Sequence, residues 1–192
     1  MLWEWQMYSQ CLKIKRSIQR MSEVELTPAD YPHEGLSTPG WTHVSPDGDR
    51  GTVAYILESF ATGQRRGYFL SGGACDLDIE GFEFGPYLIK CIDGNVYLVT
   101  EDGIAAAPCN VLGYMQLVEG PEMLVFCSYY ELLVIHKSGM LRYSQDLAHD
   151  CLEVLALNGD TLHLNGRQEF SQDDEQWTMP VTDIPIVQVE FK

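Results

Sequence analysis

From residue 52 onward, short apolar runs alternate with residues that turn the backbone sharply, and this punctuation restricts the chain to sheets. Thr52–Leu57 and Gly67–Leu70 are rich in β-branched and aromatic side chains, which suit a pleated, half-buried surface. Tyr87–Ile92 and Asn95–Thr100 flank Asp93-Gly94, a pair that supplies the positive φ angles of a tight hairpin turn. Leu132–His136 returns through Lys137-Ser138-Gly139 into Met140–Ser144. Leu152–Leu157 returns through Asn158-Gly159 into Asp160–Leu164, and a second Asn-Gly follows at Asn165-Gly166. Met123–Cys127 and Ile186–Phe191 read as two more strands. The pattern predicts ten to twelve short strands and no long helix after residue 26. The fold class is therefore all-β: an antiparallel sandwich, a barrel or blade-like sheets. No fixed period marks a sequence repeat.

The expected organisation has three parts. In residues 1–26, Trp3, Met7, Cys11, Ile14, Ile18 and Met21 fall on one helical stripe, which predicts an N-terminal amphipathic helix. That helix either docks on the body or pairs with a partner or a second copy. Met21 is a second candidate start of translation. Residues 27–51 carry Pro28, Pro32, Pro39 and Pro46 among four glycines and read as a loop, tethered by Tyr31 and Trp41. Residues 52–192 form a single β-rich domain.

Charge narrows the function classes. The 192 residues hold 12 Lys+Arg against 28 Asp+Glu, a net charge of -16. Residues 1–20 hold four basic and one acidic residue, so the basic character sits in the helix and the remainder is more acidic still. An acidic chain cannot neutralise a phosphate backbone or anionic lipid, which argues against nucleic acid and membrane as partners. No apolar run reaches the roughly 18 residues of a membrane span, and no signal peptide stands at the N-terminus. The six cysteines lie at least 16 residues apart and read as reduced core thiols. Together these features point to a cytoplasmic protein.

The most distinctive segment is Cys75-Asp76-Leu77-Asp78-Ile79-Glu80. Its period of two places three carboxylates on one face and three apolar side chains on the other. A bulge or turn at Gly81 would keep Phe82 and Phe84 inward and bring Glu83 to the acidic face. Asp76, Asp78, Glu80 and Glu83 are thus the candidate partner-binding residues, unless they serve only to solvate an edge. Asp47-Gly48-Asp49 with Glu58 has part of a calcium-loop spacing. Gly51 and Thr52 occupy its fifth and sixth positions, so the segment reads as a turn. The histidines form no metal-binding motif, and no nucleophile elbow or phosphate loop occurs. His136 and His163 read as hydrogen-bonded strand histidines. Arg65 and Arg66 form a basic turn that either pairs with nearby carboxylates or contacts an anion. The sequence assigns no catalytic residue, metal or cofactor.

Gly139, Ser144, Leu147, Asp150 and Leu152 have the spacing of a motif in an uncharacterised family of bacterial β-rich proteins, which the last third of the chain resembles. Arg142 stands where that pattern has an aromatic residue. The resemblance implies a β fold and no activity. The expected function is a non-enzymatic binding protein whose acidic surface meets a basic protein partner, in the manner of an immunity or antitoxin-like inhibitor. The alternatives are a small-molecule binder or hydrolase with a dispersed site in a β cleft, and a structural module that oligomerises through the N-terminal helix.

Overall fold

The computed structural model describes residues 23–46, 50–75, 77–109, 112–113, 115–168 and 173–192. The N-terminal amphipathic stripe and the Asp47-Gly48-Asp49 turn lie outside them. Val24, Glu25 and Leu26, the last residues of the expected 1–26 helix, are extended strand instead.

The first sheet contains β1 (Val24–Pro28), β2 (Trp41–Val44), β3 (Arg50–Ser59) and β4 (Arg65–Gly72), in the order β1-β3-β4-β2. Its members correct the expected 27–51 loop: β2 lies within that segment and pairs parallel with β4. Proline density prevents long elements but leaves room for four paired residues. Tyr31 and Trp41 do tether the segment, since both rings pack on Phe69, at 5.1 and 4.9 Å between centroids.

Next along the chain come β5 (Ala74–Cys75), β6 (Ile79–Phe84), β7 (Tyr87–Ile92), β8 (Asn95–Thr100) and β9 (Gly103–Ala106). The last four form the second sheet, an antiparallel meander. β10 (Leu112–Gly113) pairs with β5 as a short parallel bridge. The third sheet repeats the meander with β11 (Met115–Glu119), β12 (Met123–Ser128), β13 (Leu132–His136) and β14 (Leu141–Ser144). The fourth holds β15 (Asp150–Asn158), β16 (Thr161–Arg167) and β17 (Glu175–Pro180). Finally β18 (Ile186–Val187) returns to pair with β14. Eighteen strands occur among the described residues, more than the ten to twelve expected. Several are pieces of two to four residues, too short to leave a periodic signal.

The sheets stack face to face in chain order. Leu57, Tyr68 and Leu70 of the first sheet meet Tyr97, Val99 and Ile104 of the second. Ile89, Cys91 and Leu98 on the opposite face of the second sheet meet Leu124, Phe126, Leu133 and Ile135 of the third. The other face of the third sheet, with Val125, Cys127 and Val134, meets Leu152, Val154, Leu162 and Leu164 of the fourth. The sequence carries this order. A strand covered on both sides can be apolar at every position, and all six residues of β12 are buried. A strand covered on one side alternates, and β16 alternates half-buried with buried along its length. The fourth sheet is thus the end of the stack. Among the described residues the sheets do not close into a barrel.

Turn chemistry mostly follows the residues. Asp93 and Gly94 both have positive φ, at 46° and 91°, as the Asp-Gly pair requires. The β15–β16 hairpin turns at Gly159-Asp160 rather than at Asn158-Gly159, because Asn158 is still paired with Thr161. Asn165-Gly166 is no turn; it lies within β16.

The C-terminal segment straps the stack. Arg142 donates hydrogen bonds to the carbonyls of Thr182 and Ile184, at 3.1 and 2.5 Å, and so guides the chain back from the fourth sheet to the third. Val187, Val189 and Phe191 pack against the core between the second and third sheets. Lys192 exchanges backbone hydrogen bonds with Ile104, and the Tyr68 hydroxyl donates to the Lys192 carbonyl at 2.7 Å.

Candidate functional site

The acidic segment leads from β5 into β6, an edge strand of the second sheet; Glu80 and Glu83 lie on β6 and Asp78 just precedes it. Asp76 lies outside the described residues. The remaining alternation is as expected: Cys75 and Ile79 are buried, Leu77 packs against the same core, and Asp78 and Glu80 are exposed. The pairing of β6 with β7 slips between Ile79 and Phe82, and Gly81 has a φ of 142°. This is the expected bulge. It turns Phe82 and Phe84 toward the core and leaves Glu83 exposed with Glu80.

The three carboxylates are not equivalent. The Asp93 backbone N–H donates to Asp78 Oδ1 at 2.9 Å, so Asp78 also holds the β7–β8 turn. Glu80 and Glu83 form no ion pair among the described residues. Lys90 lies beneath the segment with only 9% of its surface exposed. Its ammonium donates to the Glu80 carbonyl at 3.3 Å and sits 4.9 Å from the centre of the Tyr55 ring. Burial lowers the Lys90 pKa, while the charges of Asp78 and Glu80 oppose that shift. The strand run signalled the acidic face but not this cation, because one lysine within Tyr87–Ile92 reads as solvent-facing.

The two arginines of the β3–β4 turn are occupied internally. Arg65 pairs with Glu58 at 3.3 Å. Arg66 donates to the carbonyls of Glu101 and Asp102, clasping the β8–β9 turn. Glu58 thus ties β3 to the start of β4 in the first sheet. His136 is hydrogen-bonded to Ser138 and His163 to Asn158. Among the described residues no three metal-ligating side chains converge, and no helix is long and apolar enough to cross a membrane.

Cys75, Cys91, Cys109 and Cys127 are buried, whereas Cys151 is exposed and has a φ of 58°. Cys151 thus departs from the expectation that every thiol is in the core, since the chain turns there to enter β15. Burial pushes the Cys109 and Cys127 thiols up to about 12 and raises Cys91 well above its ordinary value. These thiols are protected from ionisation rather than activated.

The thiol shifts set an alkaline limit. Between pH 9 and about 12 an unfolded thiol ionises while Cys109 and Cys127 stay protonated, so stability falls as pH rises. Each such group contributes a slope of about 1.4 kcal/mol per pH unit. Lys90 works in the opposite direction, because the unfolded chain holds that proton up to 10.5 and the folded chain releases it earlier. Urea midpoints are expected to fall above pH 9, and Lys90→Met is expected to steepen that fall.

Two open grooves mark the surface of the described residues. One, of about 290 Å³, crosses the outer face of the fourth sheet past Leu155, Ala156, His163, Gln176 and Thr178. The other, of about 320 Å³, lies between the C-terminal segment and the β13–β14 turn. Neither gathers acid, base and nucleophile. Comparison of the chain with family models, curated proteins and solved structures returns no match.

Proposed function

We propose that the protein is a non-enzymatic binding protein that presents the acidic edge of β6 to a basic protein partner, in the manner of an immunity or antitoxin-like inhibitor. The observation that carries this reading is the exposed group Asp78, Glu80 and Glu83, the first just before the edge strand β6 and the other two on it. The bulge at Gly81 brings Glu83 into line with the other two. A rigid row of like charges accelerates encounter with an oppositely charged surface and fixes its register. The net charge of -16 adds a long-range field of the same sign. Partners without positive charge, nucleic acid and anionic membranes among them, gain nothing from such a surface.

The test is capture of partners from a cell extract by the wild-type chain and by a variant carrying Asp78→Asn, Glu80→Lys and Glu83→Lys. Asparagine at position 78 keeps an acceptor for the Asp93 N–H. The variant is expected to lose the basic partner, by at least tenfold in affinity, with unchanged thermal unfolding. Retention of the same partner at the same affinity contradicts the reading.

A further inference from the structure

The fourth sheet is one strand short. The other three sheets contain four or five strands, whereas this one contains β15, β16 and β17 alone. Its two edges differ. The β15 edge is filled: the Gln116 carboxamide donates to the Val154 carbonyl and accepts from the Val154 N–H, both at 2.9 Å. The Leu152 N–H donates to the Tyr129 carbonyl at 3.0 Å.

The β17 edge is open. β17 pairs with β16 over six residues without a register shift, unlike the bulged β6. The ladder alternates, and Val181 N–H donates to Asp160 O, so Met179 and Trp177 direct their backbone groups toward β16. Gln176 and Thr178 then direct theirs outward, and among the described residues nothing pairs with them.

The side chains of β17 are also incompletely covered. Trp177 and Met179 reach the core beneath the sheet but stay partly exposed. Their partners in register, Leu164 and Leu162, are fully buried. A strand beside β17 would cover both. On the outer face the same strand would reach the groove at Thr178 and Gln176.

We propose that the β17 edge accepts an extended segment of a basic partner by strand addition, with apolar residues directed toward Trp177 and Met179 and basic residues alternating with them. The charge around the edge argues for that occupant. Asp173, Asp174 and Glu175 open the strand and Asp183 follows it, while residues 168–191 contain no Lys or Arg. Asp174 alone of these pairs with a cation, Arg167 at 3.7 Å. Two copies of this chain would each bring a net charge of -16 to the contact and repel one another. Backbone pairing supplies affinity in such recognition, and alternate side chains supply specificity. The site lies two sheets away from the β6 edge, so either can fail alone.

The experiment is selection of peptides from a displayed random library on the full chain, followed by affinity measurement of synthetic copies. Selected peptides are expected to alternate Lys or Arg with apolar residues. N-methylation of alternate residues in one parity, the one facing β17, is expected to weaken binding at least tenfold, and methylation in the other parity to leave it unchanged. Thr178→Pro, which removes an outward N–H without touching the β16 ladder, is expected to weaken the unmodified peptide to a similar degree. Failure to select any peptide overturns the proposal and leaves the edge to residues 1–22 or to nothing. Binding insensitive to methylation in both parities also overturns it, whether or not Thr178→Pro folds. A dimer of the full chain that Thr178→Pro dissociates gives the edge to a second copy and overturns it too.

Discussion

Phe126→Ala is expected to lower the unfolding free energy by about 3–5 kcal/mol, measured by urea denaturation at pH 7. Phe126 is 1% exposed and sits on β12, in the sheet that packs on both faces. It belongs to the core cluster that also holds Leu98 of the second sheet and Leu124 and Leu133 of its own sheet. Strands covered on both faces have little freedom to collapse into the space left by a truncation, so the cavity persists and its cost is near the upper end. Phe60 is the control. It is 52% exposed at the end of β3, and Phe60→Ala is expected to change stability by no more than about 0.5 kcal/mol. Equal losses from the two variants would mean that the stack is not ordered as described.

Gly103→Ala is expected to cost about 2–4 kcal/mol, through backbone strain and lost hydrogen bonds. Gly103 has a φ of 148°, which an L side chain rarely adopts. A Cβ there would lie 2.1 Å from the Lys192 carbonyl oxygen and 2.9 Å from its carbon. Backbone cannot move aside as a flexible side chain can, so the C-terminal segment must leave Ile104. It would release the Tyr68 hydroxyl and the Phe191 ring, which stacks on Tyr87 at 6.2 Å. A double-mutant cycle isolates this cause. Deleting residues 189–192 destabilises the chain by itself, but Gly103→Ala should cost clearly less in that background, because the clash is gone. An undiminished cost would place the effect in the turn alone.

The class of fold was legible because two physical rules left marks in the residues. Asp93-Gly94 marks its turn directly, and the unbroken apolar runs Met123–Cys127 and Leu132–His136 mark strands buried on both faces. The bulge at Gly81 was legible for a related reason: acidic and apolar residues change parity there, and only an extra residue keeps Phe82 inward. What escaped depends on contacts between distant segments. β2 hides among prolines because its pairing with β4 is parallel and long-range. Asn165-Gly166 has turn chemistry, yet cross-strand pairing on both sides holds it in β16.

The candidate site divides in the same way. Asp78, Glu80 and Glu83 follow from alternation in the run that leads into β6, whereas the second role of Asp78 depends on the Asp93 N–H fifteen residues away. The open edge of β17 gave only a weak signal. Glu175–Pro180 has no apolar run, and its open edge follows from sheet order, which puts β16 on one side and, among the described residues, no strand on the other.

If the acidic edge of β6 steers a basic partner, the association rate of the captured partner depends on ionic strength. Between about 0.05 M and about 0.5 M salt, screening shortens the reach of the field several-fold. The rate is expected to fall at least tenfold across that range for the wild-type chain and to change much less for the variant with Asp78→Asn, Glu80→Lys and Glu83→Lys. A rate independent of salt, or a salt dependence that the variant shares in full, would contradict it.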